Sequence, residues 1–387
     1  MTPNGKLTIE LAETPQQRRE YIYFQWEIYR DDPYWVPPLI SEREEFLDKT
    51  RHPFHLHSDV DFFIARRDGE VVGTIAAIEN KRHNQFQNEN IGFFGLFEVK
   101  QDREAAEALL STAEDWARER GLDALRGPTS FSLNEEAGLL VDGWDGPPVI
   151  LMTYNPKYYV DLIEGAGYEK EMDLYAYLLE LESQVGVDGQ HLPPKLLRVA
   201  NKIQDRIDFT VRQGKMSDFS NEAERFKAVY NSAWSNNWGF VPLTEEEKAH
   251  EAKVLKTLLD ERIALFAEKD GQVIGTMLGL PDVNEALRLA YPHPNVPEWW
   301  TKIKLFWHWK IAGRVKTTRS FAGGVIPEYQ GRGVISVLLA RLGQASARYY
   351  KLSEISWVLE SNTMMRRTAE MLKARLYRTY RIYQKPL

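Results

Sequence analysis

The segment Gly323-Gly-Val-Ile-Pro-Glu-Tyr-Gln-Gly-Arg-Gly-Val-Ile-Ser-Val-Leu-Leu339 decides how this chain of 387 residues is read. Val325 and Ile326 end an apolar strand, and Pro327 stops its hydrogen-bond ladder because proline has no N–H to donate. Gln330-Gly331-Arg332-Gly333 then leads into an apolar helix over 334–342. Glycines let the backbone curl so that successive N–H groups point inward. The new helix adds the partial positive charge of its N-terminus, and Arg332 adds a full one. A turn of this kind suits a diphosphate. Two better-known phosphate loops are excluded: no Lys-Ser/Thr follows a Gly-x4-Gly spacing, and the third glycine of the dinucleotide fingerprint is missing.

Outward from that loop, the chain repeats itself. Leu265-Phe-Ala-Glu-Lys-Asp-Gly-Gln-Val-Ile-Gly-Thr276 answers Phe63-Ile-Ala-Arg-Arg-Asp-Gly-Glu-Val-Val-Gly-Thr74. Each is an apolar strand, an Asp-Gly turn and a second apolar strand, the pattern of a β-hairpin. Upstream, Phe240-Val241-Pro242-Leu243 with Glu246 matches Trp35-Val36-Pro37-Pro38-Leu39 with Glu42. Downstream, Gly323–Ile326 and a helix carrying Leu338-Leu339 match Phe94–Phe97 and a helix carrying Leu109-Leu110. Asn362 before a helix matches Asn155. Four matches in one order point to a duplication. Each half reads strand, helix, helix, hairpin, strand, helix, strand, helix, strand. That order implies an α+β fold, two tandem domains that are each a mixed, mostly antiparallel sheet flanked by helices. The domains are expected over 1–185 and 186–387. Ser183-Gln-Val-Gly-Val-Asp-Gly-Gln190 reads as their linker, since its glycines and polar residues break both periods.

The loop resembles the acyl-CoA loop of the GNAT (GCN5-related N-acetyltransferase) superfamily, Val-x-Pro-x-x-Gln/Arg-x-x-Gly-x-Gly/Ala. Val325, Pro327, Gln330 and Gly333 match in register, while Ile335 stands where the pattern has a small residue. The resemblance implies a tandem GNAT-like protein whose C-terminal domain binds acetyl-CoA or a longer acyl-CoA as co-substrate. Val325, Ile326, Gln330, Gly331, Arg332, Gly333, Val334, Ile335, Ser336 and Asn362 would hold it. In the first half, Val99-Lys-Gln-Asp-Arg-Glu-Ala-Ala106 has no glycine, and Asp102 and Glu104 would repel a diphosphate, so that loop is read as degenerate.

The same resemblance sets the chemistry. The acyl arm would lie between two splayed strands, 322–326 and 355–359, with the N–H of Val325 or Ile326 polarising the thioester carbonyl. An amine of pKa near ~10 must lose a proton before it attacks, and Glu360 is the candidate base, directly or through water. Asn362 matches an asparagine that contacts the cofactor arm. A tyrosine acid often follows it by seven residues, where this chain has Ala369. Tyr377, Tyr380 or Tyr383 could then reach the sulfur, with Tyr377 taken as the candidate.

The insertion over 127–148 is dense in Gly, Pro, acids and aromatics. Asn134, Glu135, Asp142 and Trp144 could form an acceptor pocket there that attracts a cationic amine; an ordered loop that seals the two halves fits as well. A second insertion, Trp299-Trp-Thr-Lys-Ile-Lys-Leu-Phe-Trp-His-Trp-Lys-Ile311, interleaves aromatics with positive charge. Packing between the halves and peripheral membrane contact through 298–316 both suit it. His52, His55 and His57 lie close in sequence, but no third metal ligand is assured, and no metal is expected.

Composition bounds the rest. Hydrophobic residues at 43% and charged residues at 27% are those of a globular chain. A net charge of −7 argues against a nucleic-acid partner. The lack of cysteine excludes a thiol nucleophile. With no apolar signal core and no stretch of roughly 20 apolar residues, a cytoplasmic protein is expected. The reading is an N-acyltransferase, most readily acetyl-CoA-dependent, that acylates the amine of a small-molecule or lipid-like acceptor. Two alternatives share the layout: a non-catalytic acyl-CoA-binding or regulatory protein, and a FemX-like aminoacyl transferase that draws on aminoacyl-tRNA.

Overall fold

A computed structural model describes residues 5–133, 135–235 and 237–387. They form two compact units. The first comprises Met1–Asp173, Leu287–His308 and Thr379–Leu387; the second comprises Leu174–Ala286 and Trp309–Arg378.

In the first unit, Leu7–Leu11, Asp59–Arg67, Glu70–Glu79 and Ile91–Val99 run antiparallel in that order. Ile91–Val99 then pairs in parallel with Ala124–Gly127, which pairs antiparallel with the end of the C-terminal strand, Tyr383 opposite Gly127. Side chains alternate across this sheet, so both faces need cover. Helix Arg103–Arg118 supplies one cover, burying Ala105, Ala106, Leu109, Leu110 and Ala113 against Ile75, Ala77 and Val99. Helix Pro15–Ile28 supplies the other, with Tyr21, Ile22 and Trp26 against Phe62, Ile64 and Ile78. Each fully buried leucine or isoleucine contributes about 1.5–3 kcal/mol. Pro15 at the first helical position and a Thr14–Gln17 capping box start that second helix.

In the second unit the order recurs. Thr210–Gln213, Ala264–Lys269, Gln272–Pro281 and Thr317–Val325 run antiparallel. Thr317–Val325 is parallel to Leu352–Leu359, and residues 174–180 close the sheet antiparallel to Leu352–Leu359. Each sheet therefore takes one strand from the other half of the sequence. The α+β fold expected from the repeat is the fold observed. The duplication extends to fine detail. Both hairpins turn through an Asp-Gly pair with positive φ at each residue: Asp68 (51°) and Gly69 (91°), Asp270 (50°) and Gly271 (78°). Both carry a bulge at the same place, between Ala65 and Arg66 and between Ala267 and Glu268.

The stretch read as a linker is anchored at Val185, while Ser183, Val187, Asp188 and Gln190 are exposed. Leu181 and Val185 are fully buried, and Gly186 and Gly189, at φ 76° each, turn the chain there. The period-breaking glycines here mark a turn. Phe46 and Phe54 stack on Phe131, against which His52 lies tilted and His55 edge-on. Burial lowers the His55 imidazole to about 4.

Candidate functional site

The quoted segment lies wholly in the second unit. Thr317–Val325 runs out into a single tight turn over Pro327–Tyr329, and helix Val334–Ala347 follows. Gly331 and Gly333 sit at φ 69° and 90°, a region that costs other residues strain. Gln330 folds back, its Nε2 donating to the Val325 carbonyl at 3.0 Å, so the loop is clipped to the strand it leaves. The N–H groups of Ser336 and Val337 turn to the Gly333 carbonyl (3.1 and 3.2 Å). Those of Gly333, Val334 and Ile335 make no hydrogen bond to another described residue, as at any helix start that no side chain caps. Arg332 is exposed, stacks on the Tyr329 ring at 5.4 Å, and has no carboxylate partner among the described residues. Donors and an unneutralised cation thus converge at one helix end.

The large residue at 335 has a local explanation. Across from it, Gly323 has no side chain: a Cβ there would lie 2.5 Å from the Met277 methyl and 3.4 Å from Ile335 Cδ1. A bare backbone on the strand makes room for Met277 and Ile335 together.

Next to the loop, the two parallel strands part. Thr317–Ser320 pair with Leu352–Ile355, and beyond them 321–325 and 356–359 do not pair. Ile326 N–H donates to the Ile274 carbonyl at 3.0 Å. Hydrogen-bonded and non-hydrogen-bonded positions alternate along an antiparallel pair, so Val325, opposite Gly275, turns its N–H toward the open edge. Of the two amides expected to polarise a carbonyl, Ile326 is already engaged and Val325 faces the gap.

Below the parting point lies a buried polar network that sequence reasoning missed. Arg319 and Glu354 are register partners, 3% and 0% exposed. Arg319 Nε donates to Ser356 Oγ at 3.0 Å, Ser356 donates to one Glu354 oxygen, and Tyr377 donates to the other. Phe321 and Trp357 rings flank the guanidinium at 5.4 and 5.6 Å. A buried carboxylate must be hydrogen-bonded to be tolerated, and Tyr377 is one of its donors. The available signal was a lone Glu within an otherwise strand-like run, Leu352–Leu359.

The other expected residues fall as follows. Glu360 follows the second strand, half-buried in the turn after Leu359, with its carbonyl accepting from Arg366 Nη1 at 3.0 Å. Asn362 caps helix Thr363–Met371, its Oδ1 accepting from Met365 N–H at 3.1 Å. Ala369 is fully buried, so a tyrosine there would need the core repacked. Tyr380 and Tyr383 belong to the first unit, where Tyr383 donates to Glu164.

In the first unit the equivalent helix start is closed by its own side chains. Asp102 accepts from Ala105 N–H at 3.2 Å and from Arg67 at 3.0 and 3.1 Å, and Arg67 also reaches Glu104. A carboxylate therefore sits where an anion would. Asn134, one of the four expected acceptor residues, lies outside the described residues. Glu135 approaches His52 at 3.7 Å, Asp142 is exposed opposite Thr379, and Trp144 donates to the Asn155 carbonyl at 2.9 Å beneath Lys157. Each of the three meets a different partner: His52, Thr379 and Asn155.

A second missed residue is Glu98, in the apolar strand Ile91–Val99. Tyr29 and Tyr159 donate to its carboxylate at 3.0 and 2.7 Å, and Tyr159 also accepts from Val99 N–H. Burial, opposed by those hydrogen bonds, pushes the carboxyl up to about 7. Its charge within a run of phenylalanines was the signal to follow.

Comparison with known proteins adds the following. An acetyltransferase (GNAT) family model matches residues 19–137. A bacterial ceramide synthase of Caulobacter vibrioides is 35% identical over 390 residues, spanning 99% of this chain and 98% of that protein. Protein YghO of Escherichia coli is 32% identical over 374 residues, spanning 95% and 93%. Among solved structures, a tandem GNAT protein from the clavulanic acid biosynthesis pathway aligns over 98% of both chains with a TM-score of 0.55 at 13% identity.

Proposed function

We propose, since the chain belongs to the GNAT acetyltransferase superfamily as a tandem member, that it is an N-acyltransferase that moves an acyl group from acyl-CoA to the amine of a lipid-like acceptor. The observation that carries this reading is the left-handed Gly331–Gly333 loop opening a helix beside two strands that part after Ser320 and Ile355. The residues present fit the carrier. Arg332 and the N–H groups at Gly333, Val334 and Ile335 would hold its diphosphate, with Gln330 fixing the loop and Ser336 behind it. Bound acyl-CoA supplies an activated thioester.

In this reading, Val325 offers its open-edge N–H to the carbonyl oxygen as negative charge develops there. Glu360 takes the proton of the acceptor ammonium, directly or through water. A C–N bond then forms, the nitrogen gives its second proton to water, the C–S bond breaks, and sulfur leaves as thiolate, which needs no protein nucleophile. Asn362 holds the end of the second strand by capping the helix that follows it. Acceptor chemistry is supported by the Caulobacter relative, since a ceramide is an N-acylated long-chain amino alcohol.

One observation favours a second reading. The family model falls on the half that contains Glu98, a carboxyl raised near neutrality and ringed by tyrosines. There Glu98 would be the base, and the first unit would carry the chemistry.

The test is thiol release from acetyl-CoA and long-chain acyl-CoA with a panel of amines that includes long-chain amino alcohols. The Glu360→Gln and Glu98→Gln variants are measured alongside. Loss of turnover in Glu360→Gln alone supports the first reading, and loss in Glu98→Gln alone the second. Coenzyme A binding with no thiol released from any amine would leave a binding protein.

A further inference from the structure

The helix Glu298–Phe306, in the first unit, turns its apolar side outward. Trp299, Trp300, Ile303, Phe306 and the following Trp307 are between 47% and 64% exposed. Trp299, Trp300 and Trp307 are the tryptophans left exposed among the described residues. At 3.6 residues per turn, these five positions share one arc of roughly 120°. Lys302 borders that arc on one side and Lys304 on the other. The opposite side is anchored: Thr301 is buried, and Glu298 accepts from both the N–H (2.8 Å) and the hydroxyl of Ser41. The stripe is therefore held outward by contacts made behind it.

From this arrangement we infer that the 298–307 face docks on the surface of an anionic phospholipid bilayer. Indole rings favour the boundary between headgroups and acyl chains, because one end is apolar and the other can hydrogen-bond. Flanking lysines keep their charge in the headgroup layer while their stems lie along the apolar stripe. Charge selects the lipid. On this helix Lys302 and Lys304 stand against Glu298, to which Lys302 is bound at 2.6 Å, so Lys304 gives the face its net positive charge, although the chain as a whole carries −7. A net-negative chain that sets a lysine beside its exposed tryptophans presents a face matched to a negatively charged surface. At nine residues the helix lies on a bilayer and does not cross it, and no helix among the described residues is long and apolar enough to cross. The inference holds whatever the acceptor is, so its failure would leave the acyl-transfer reading standing.

The experiment floats the full chain with vesicles of phosphatidylcholine containing phosphatidylglycerol, and with phosphatidylcholine alone. Tryptophan emission and the sedimentation of lipid-free protein are recorded in parallel. Wild type should float with the anionic vesicles and shift its emission to the blue. Trp299→Ser/Trp307→Ser should weaken partition at least about tenfold, as two buried indoles would imply. Lys304→Glu should weaken it on anionic vesicles only. Phe306→Ser repeats the test at a single exposed position, and circular dichroism verifies each fold. Wild type that stays unbound, or a double variant that floats as well as wild type, overturns the inference. So does a lipid-free dimer that the same substitutions dissolve, which would assign the face to a second copy.

Discussion

Gly333 and Ile203 are locked together: a Cβ on Gly333 would stand 2.5 Å from Ile203 Cδ1, on helix Pro194–Ile207, and Gly333 holds φ at 90°. Gly331, two residues earlier at φ 69°, has nothing within 4 Å of the same point. Gly331→Ala should therefore lose about 1 kcal/mol through the backbone alone. Gly333→Ala should lose more, roughly 1–3 kcal/mol, because strain and collision combine. Denaturant unfolding of the two variants measures the difference, and equal losses would contradict the packing described.

Because Gly333 is a packing residue, carrier binding is better probed at Arg332. This side chain is exposed and makes no ion pair among the described residues, so its replacement disturbs no fold contact beyond the Tyr329 ring. Arg332→Glu should weaken Coenzyme A roughly 10- to 100-fold, the value of a lost charge-assisted contact. The dependence on salt should flatten as well. Calorimetry at two ionic strengths decides it.

Tyr377 donates to buried Glu354, so Tyr377→Phe removes one of that carboxylate's donors. Stability should fall by about 1–3 kcal/mol. Turnover per folded molecule should change little if sulfur leaves without Tyr377. A large fall in kcat at unchanged stability would instead restore the hydroxyl as the acid.

Glu98 predicts a pH effect with a definite sign. Its carboxyl is raised from the ordinary 4.5 to about 7, so between those values the folded state holds a proton that the unfolded state has lost. Ionising Glu98 therefore costs stability, which should decline as pH rises from about 5 to about 8. Glu98→Gln cannot ionise and should flatten that part of the profile. Thermal unfolding across pH tests this, and parallel profiles would show that Glu98 titrates normally.

Removing the base should also depend on pH. Glu360→Gln should lower turnover most at low pH, where the acceptor amine is most fully protonated. A pH–rate profile that keeps its shape would take Glu360 out of that role.

Local pattern carried much of this molecule. The two Asp-Gly hairpins, the proline that ends the strand and the glycines before the helix are each set by a few neighbouring residues, whose allowed backbone angles leave little choice. The duplication was legible for the same reason, because two copies of one local pattern keep their order. What the sequence could not show depends on residues distant along the chain. The strand borrowed by each sheet is one case, as are Ile203 behind Gly333 and the engagement of Ile326 by Ile274. The pairing of Arg319 with Glu354 is another, and so is Asp102 occupying its own helix start. A residue's identity restricts its φ and its preference for water, so turns, periods and loop chemistry follow from sequence by itself. Which buried donor meets which acceptor is settled only when sheet register and helix packing bring them within 3 Å, and that is a property of the folded chain.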